Sequence, residues 1–498
     1  MKFWLQAART LARKPAYPAT AVIVLALGIG ATAALFSVVD TVLLAPLPYP
    51  HANRLALVLA LNPAHHENLL APADIADWDR RNQSFVPGQG IAGQYSETET
   101  ETSGREPVRL EGMRVSPGYF RIFGVQPLIG RWFTKAEQRF HGPGAAIISY
   151  SLWTRRYDRS RGVLHQALAI GGERYAIVGV MPASFGNAAT DVWLSAQAPS
   201  ALLQERDARM YSGIGRLRPG VTLAQAQADL DRVQAQLDLQ YPIDAGWSAK
   251  VVSLKEFLVG SSRAALWAIF AAALLLLLLA IANLAGLTLA QLHNRERELA
   301  VRAALGASRR QLVATVMREM LLLASAGAAL GGLLGWLGVR AIAHLAPATL
   351  PLMNALHFDI WGWVFAVAVS ALAALGFGLA PALAVTRGRL AAQLAGGGER
   401  AIGGQRRAQH ALVAAQLALT VLLLSAAGLL LASYRNLNVV NAGFRTRDVF
   451  TFHVSATWNE NRGPVANLQI QFLQKLRALP GVVAAGFTNF LPAGNATL

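Results

Sequence analysis

Five long apolar stretches punctuate the chain, at 19–44, 266–292, 312–345, 361–386 and 411–433. Each reaches the about 20 residues that a bilayer-crossing helix requires, so the pattern predicts five transmembrane helices. The first stretch follows Lys2, Arg9, Arg13 and Lys14, as in a secretion signal. Its apolar run nevertheless exceeds the roughly 7 to 15 residues of a signal core, which predicts an uncleaved anchor. Between the first two stretches, residues 45–262 mix short β-rich runs with helical periodicity and predict a mixed α/β domain able to bury its own core. There "LAIGGERYAIVGVMP" predicts a hairpin about Gly171 and Gly172. "VTLAQAQADLDRVQAQLDLQYP" predicts a helix capped by Thr222, with Leu223, Ala226, Leu230, Val233 and Leu237 on one face and its end before Pro242. Near the chain's end, Leu468, Phe472, Leu476 and Leu479 predict one more amphipathic helix, stopped by Pro480 and Gly481.

Composition agrees with a membrane protein. Of 498 residues 54% are hydrophobic and only 15% charged, too apolar for an ordinary soluble chain of this size. A formal charge of +17 raises nucleic acid as a partner, but the cations stand beside the apolar runs and no nucleic-acid-binding signature accompanies them, so none is expected. The chain has no cysteine, which excludes disulfides and thiolate metal sites.

The placement of the cations sets the topology. The N-terminus (1–18), the segment 293–311 with Arg295, Arg297, Arg302, Arg309 and Arg310, and the segment 387–410 with Arg387, Arg389, Arg400, Arg406 and Arg407 are rich in arginine or lysine. The loop 346–360 between the third and fourth stretches, "APATLPLMNALHFD", has neither. Short cation-rich loops stay in the cytoplasm, so the N-terminus is expected inside, with 45–262 and 434–498 outside. Glycines crowd the third stretch in "SAGAALGGLLGWLGV", a packing surface for another helix. Asn283, Thr288, Gln291 and Gln416 are expected to hydrogen-bond between helices. Mid-span charges of the kind that carry ion coupling are not evident.

Candidate chemistry outside the spans is sparse. His65 and His66 are adjacent and lack the spacing of a helical metal pair. The acidic "SETETETS", 96–103, reads as a solvated strand or loop, with weak cation binding as its alternative. No nucleophile elbow, carboxylate pair or zinc signature stands out, so neither an enzyme nor a cofactor is expected. "RERELAVRAALGASRR", 295–310, is different, with seven charges between two apolar runs. Arg295, Glu298 and Arg302 fall on one side of a short helix, and Glu298 precedes Arg302 by four residues in the favourable order. Leu299, Ala300, Ala303 and Ala304 fall on another side. Gly306, Ala307 and Ser308 suit a helix stop and restart. Topology alone explains the arginines but gives no reason for Glu296 and Glu298.

After the fourth stretch the layout begins again, with the basic "GGQRRAQH", a fifth span and the polar "NLNVVNAGFRTRDVFTFHVSA". This predicts a second copy whose outer domain is incomplete, as in a truncated product or fragment. The stretches "LALGIGATAALFSVVDTVLLAPLPYP", "ADIADWDRRNQSF", "VSPGYFRIFGVQPLIGRWFTKAEQ", "RYAIVGVMPASF" with "DVWL", and "NLAGLTLAQLHNRERELAVRAALGASRRQLVATVMREMLLLASAGAALGGLLG" follow one another over most of the chain. "VAAQLALTVLLLSAAGLLLASYRNLNVVNAGF" opens the second copy. In this series the chain resembles MacB/FtsX-type ABC transporter permeases, most closely their duplicated orphan-permease (ADOP) branch.

The resemblance implies a type VII ABC permease fold: an α-helical inner-membrane protein with an inserted extracytoplasmic α/β domain, the MacB-like core, made of a porter-like and a smaller α/β part. The FtsX-like permease domain would span 266–386. The resemblance also assigns the segment bearing Arg295, Glu296, Arg297, Glu298, Arg302, Gly306, Ala307, Ser308, Arg309 and Arg310 to docking on an ABC ATPase subunit; "APALAVTRGRL" is a second candidate. No Gly-Lys pair occurs anywhere in the chain, so a phosphate-binding P-loop is excluded and the ATPase must act in trans. Mechanical transmission to the outer domain is then expected, driving efflux or extraction of a lipid-linked substrate. The alternative is a signalling scaffold that acts on a periplasmic partner without transport. Membrane lipids, a periplasmic partner protein, and a dimer or pseudo-dimer through the second repeat complete the expected contacts.

Overall fold

The computed structural model describes residues 16–87, 90–104, 106–186, 189–294, 301, 305, 308–345, 356–386, 399–439, 449–451 and 462–488. They fall into two compact units: a helical one within 1–45, 261–347 and 355–440, and a sheet-rich one within 46–260, 348–354 and 441–498. The helical unit opens with α1 (Ala16–Val39), which is apolar on every side and ends in a wider π-helical turn, Asp40–Leu44.

The sheet-rich unit contains an 11-stranded mixed sheet. Its strands are β1 (Leu55–Leu61), β2 (Glu67–Asn68), β3 (Ile91–Glu101), β4 (Val108–Val115), β5 (Ile129–Gly130), β6 (Ala145–Ile148), β7 (Ala167–Ile170), β8 (Glu173–Val180), β9 (Val192–Ser195), β10 (Ser212–Arg216) and β11 (Ser248–Ser253). Pairing runs without a break in the order β11-β1-β10-β3-β4-β9-β6-β8-β5. Two joins, β4 with β9 and β6 with β8, are parallel. Three cores lie against this sheet. Under β1, β10 and β11 lie α2 (Pro72–Arg81) and α3 (Leu223–Gln240), closing a core around Trp78, Phe85, Leu230 and Val233. Around β6 to β9, Leu152, Val163, Leu168 and Ile177 form another. A third, largely aromatic core gathers Tyr119, Phe120, Phe123, Phe185 and Trp193.

Local sequence explains the local forms. Gly171 and Gly172 both adopt positive φ, +58° and +79°, and Ile170 pairs with Glu173 across them, so the predicted hairpin closes with a two-residue turn. Thr222 caps α3 reciprocally: its hydroxyl accepts the Gln225 N–H while the Gln225 side chain accepts the Thr222 N–H. Ala226, Leu230, Val233 and Leu237 are buried as predicted, whereas Leu223, the first residue of the helix, is 38% exposed. The acidic tract departs most from expectation. It is a strand, β3, but its carboxylates are paired and Glu99 and Glu101 are buried: Glu97 and Glu99 accept from Arg114 at 2.6 and 2.8 Å, and fully buried Glu101 pairs with Arg156 at 2.5 Å.

The helical unit continues with α4 (Leu254–Asn294), α5 (Arg309–Leu345), α6 (Ile360–Thr386) and α7 (Glu399–Val439). Five of its helices are long and apolar enough to cross a membrane. At 1.5 Å per residue the 37 residues of α5 extend roughly 56 Å, well beyond the about 30 Å of a hydrocarbon core. Arg318 and Glu319, which fall inside the predicted third span, therefore lie where α5 has length to spare. The glycine-rich face of α5 packs on α1 as predicted. An added Cβ at Gly327 would come within 2.8 Å of Leu25 Cβ, one at Gly331 within 2.9 Å of Ile29 Cβ, and those at Gly335 and Gly338 within 3.4 and 3.3 Å of Ala33 and Ala34. Partner numbers rise together, so α1 and α5 run parallel. Tyr17 on α1 meets Thr288 on α4 while Gly28 meets Leu277, and Gly332 on α5 meets Trp363 on α6 while Gly378 meets Met320. These descending pairs make α4 and α6 antiparallel to α1 and α5.

Candidate functional site

Alternating helix direction brings the start of α5, the end of α4 and the start of α1 to one end of the helical unit. The segment that joins α4 to α5 hangs from that end. Its two stems are fixed by packing: Leu292 on α4 and Leu312, Val316 and Met320 on α5 are buried in one core with Leu25 and Ile29 of α1. A polar contact adds to it. The Tyr17 hydroxyl lies 2.7 Å from Thr288 Oγ1, whose hydroxyl also reaches the Leu284 carbonyl at 2.8 Å, and Tyr17 contacts Met320 Sδ at 3.9 Å. The expected interhelical role of Thr288 is thereby met, while Asn283 lies on an exposed face of α4. The apolar pattern does not single out Tyr17, although a tyrosine beside a basic flank at the start of an apolar span is a known interfacial signal.

Of the ten predicted coupling residues, Arg295, Glu296, Arg297, Glu298, Arg302, Gly306 and Ala307 lie outside the described residues, as do the side chain of Arg309 and the end of "APALAVTRGRL". Ser308 and Arg310 are described. The Ser308 N–H donates to Gln311 Oε1 at 2.8 Å, and the Gln311 N–H donates to Ser308 Oγ at 3.4 Å, so Ser308 caps α5. Its position follows from cap chemistry, the restart that the sequence predicted. Arg310 is exposed in the first turn of the helix.

Two apolar residues that the charge pattern concealed stand beside them. The Leu305 N–H donates to the Val301 carbonyl at 3.0 Å, the i to i+4 bond of a helical turn, so both side chains share a face. Val301 is 59% and Leu305 82% exposed. Exposed apolar pairs flanked by charge have the composition of a docking surface, with an apolar centre and a polar rim. Their sequence signal is the i, i+4 apolar pair inside a charged run. Among the described residues no group of three or more His, Asp or Glu is placed to hold a metal.

Residues 19–233 match the family profile of the MacB-like periplasmic core domain, and residues 270–389 that of the FtsX-like permease C-terminal region. Among solved structures, a domain of a permease protein from Porphyromonas gingivalis is 16% identical, with a TM-score of 0.33, covering 41% of this chain and 93% of that one. The periplasmic region of MacB from Actinobacillus actinomycetemcomitans is 10% identical, with a TM-score of 0.33, covering 43% and 94%. The extracellular domain of the noncanonic ABC-type transporter YknZ from Gram-positive bacteria is 12% identical, with a TM-score of 0.30, covering 39% and 99%. No curated protein matches the chain.

Proposed function

Since the chain belongs to the MacB/FtsX-type ABC permeases, multi-pass proteins of the bacterial inner membrane that work with an ABC ATPase, we propose that its α4–α5 segment receives the force of ATP hydrolysis from a separate ATPase subunit and passes it to the extracytoplasmic domain. The permease would act by mechanotransmission, moving that domain to expel a compound or to extract a lipid-linked substrate. The observation that carries this is the pair Val301 and Leu305, exposed on a segment whose stems are locked into the core shared by α1, α4 and α5. An apolar pair offered to a partner supplies affinity, while Glu298 and Arg302 on the same segment would supply orientation. Clamped stems let a push on the segment shift the helices as a body, because packed cores resist local deformation. We also read α7 and the helix Arg462–Arg477 as the opening of a second copy of the layout, in line with the duplicated branch.

Co-purification from native membranes tests this directly. The wild type is expected to bring a nucleotide-binding subunit with it and to stimulate its ATPase. Replacing Val301 and Leu305 by aspartate, or reversing Glu298 and Arg302, should lower the recovered subunit at least tenfold. Val301 and Leu305 are exposed, so those changes leave the helical core intact. Unchanged recovery and unchanged ATPase stimulation in both variants would sink the assignment.

A further inference from the structure

A cleft of about 410 Å³ lies in the sheet-rich unit between the short helix Tyr119–Phe123 and the loop that follows β5. That volume is within the range of small-molecule sites. Arg121, Lys135 and Arg139 line it and are exposed. The carboxylate that joins them, Asp79, already accepts the Ile91 N–H at 2.9 Å. The loop's own Arg131 is paired, with Glu137 at 2.7 Å. Among the described residues no ion pair involves Arg121, Lys135 or Arg139. Three unpaired cations around one concavity repel each other, and an anion relieves that repulsion.

The loop that carries two of them is built rather than loose. Glu137 anchors it, accepting from both Arg131 terminal nitrogens at 2.8 and 2.7 Å and from the Thr134 N–H at 2.7 Å. The hydrogen bonds from Arg131 hold the Glu137 carboxyl below its ordinary range, so the anchor stays charged. Gln197 donates to the Glu137 and Gly142 carbonyls at 2.7 and 3.2 Å, fixing the far end. The indole N–H of Trp132 donates to the Val125 carbonyl at 3.2 Å and positions that ring at the cleft's edge. Buried Phe120 and Phe133 back the cleft. The loop that carries Lys135 and Arg139 and the apolar wall are therefore held in place before any ligand arrives, which lowers the ordering cost of binding.

We propose that this cleft binds a small molecule carrying a phosphate or pyrophosphate group on an apolar body. Arg121, Lys135 and Arg139 take the anionic group, and Trp132 with the aromatic wall takes the apolar part. Guanidinium forks match phosphate oxygens in pairs, and three cations exceed what one carboxylate would neutralise. The source is a soluble phosphate ester or the headgroup of a phospholipid, which present the same chemistry. The inference goes beyond the proposed function and is independent of it, since ATPase association is read on the helical unit and ligand binding on this one.

Calorimetry on the full-length protein in phosphatidylcholine nanodiscs provides the test, with inorganic pyrophosphate, inorganic phosphate and 1-naphthyl phosphate as probes. Saturable 1:1 binding is expected, weakened at least tenfold in R121Q/K135Q/R139Q and unchanged in R159Q/R161Q/R174Q, which removes equal charge from exposed positions elsewhere on the same unit. Trp132→Ala should erase the advantage of naphthyl phosphate over inorganic phosphate. Absence of saturable binding, equal weakening in the two triple variants, or full affinity in the cleft variant would each overturn the proposal. With phosphatidic acid added to the nanodiscs, loss of pyrophosphate binding identifies the headgroup as the natural source, and retained binding identifies the soluble ester.

Discussion

Glu99 sits on β3 beneath Arg114, and burial drives its carboxyl up to about 7 against that arginine's attraction. Asp74, buried among Arg206, Arg209 and Asp244, is driven up to about 6 for the same reason. Between an ordinary carboxyl value and these raised ones, the folded state keeps a proton that the unfolded chain releases, so stability declines as pH rises through the window from about 4 to 7. The opposite group, Glu101 and Asp229, resists burial's upward push through its hydrogen bonds and titrates below its ordinary range, outside that window. Thermal unfolding of the sheet-rich unit, followed in the full-length protein, should therefore start from a higher midpoint at pH 5.5 than at pH 7.5. Glu99→Gln should remove much of that difference, and an unaltered pH slope in the variant would refute the account. None of this was legible in "SETETETS", because a run of acids reads as solvated until the arginines that cover it are placed, and Arg114 and Arg156 come from other strands and helices. Val301 and Leu305 were hidden for a related reason: neighbouring charge masked a two-residue apolar pair, whose exposure is a tertiary property.

Among the elements, local rules carried further. The Gly171–Gly172 hairpin, the Thr222 cap of α3 and the five long apolar helices could be read because each depends on residues close together in sequence. The order of the strands could not, since β4 with β9 and β6 with β8 join segments far apart in the chain. The small-residue face of α5 was also legible, though its partner α1 was not. A branched side chain on that face should be costly. Gly331→Val is expected to destabilise the helical unit by about 1–3 kcal/mol through overpacking against Ile29. Gly428→Val on α7, where nothing lies within 4 Å, should change stability by less than about 0.5 kcal/mol. Thermal denaturation in detergent compares the two, and equal effects would contradict the packing argument. Ser308→Ala removes the cap of α5 and should cost its first turn about 1 kcal/mol, seen as faster amide exchange over the following residues.

For the whole molecule, the helix directions place the starts of α1 and α5 at the same end of the helical unit, and the proposed topology puts that end in the cytoplasm. The chain has no cysteine, so single introduced ones report position cleanly. A cysteine at exposed His65 should react with a membrane-impermeant maleimide in spheroplasts, and one at Leu305 only after the membrane is opened. Labelling of both from the same side would reverse the topology or remove the coupling scheme. The parallel seam between α1 and α5 then bears on how movement could proceed. Leu25, Ile29 and Ala33 are spaced by four residues, and the glycines they meet, Gly327, Gly331 and Gly335, keep the same spacing. Such a seam works as a rack of teeth in matching notches. Teeth four residues apart recur about every 6 Å at 1.5 Å per residue, so travel of one helix along the other would come in steps of that length and not as a glide.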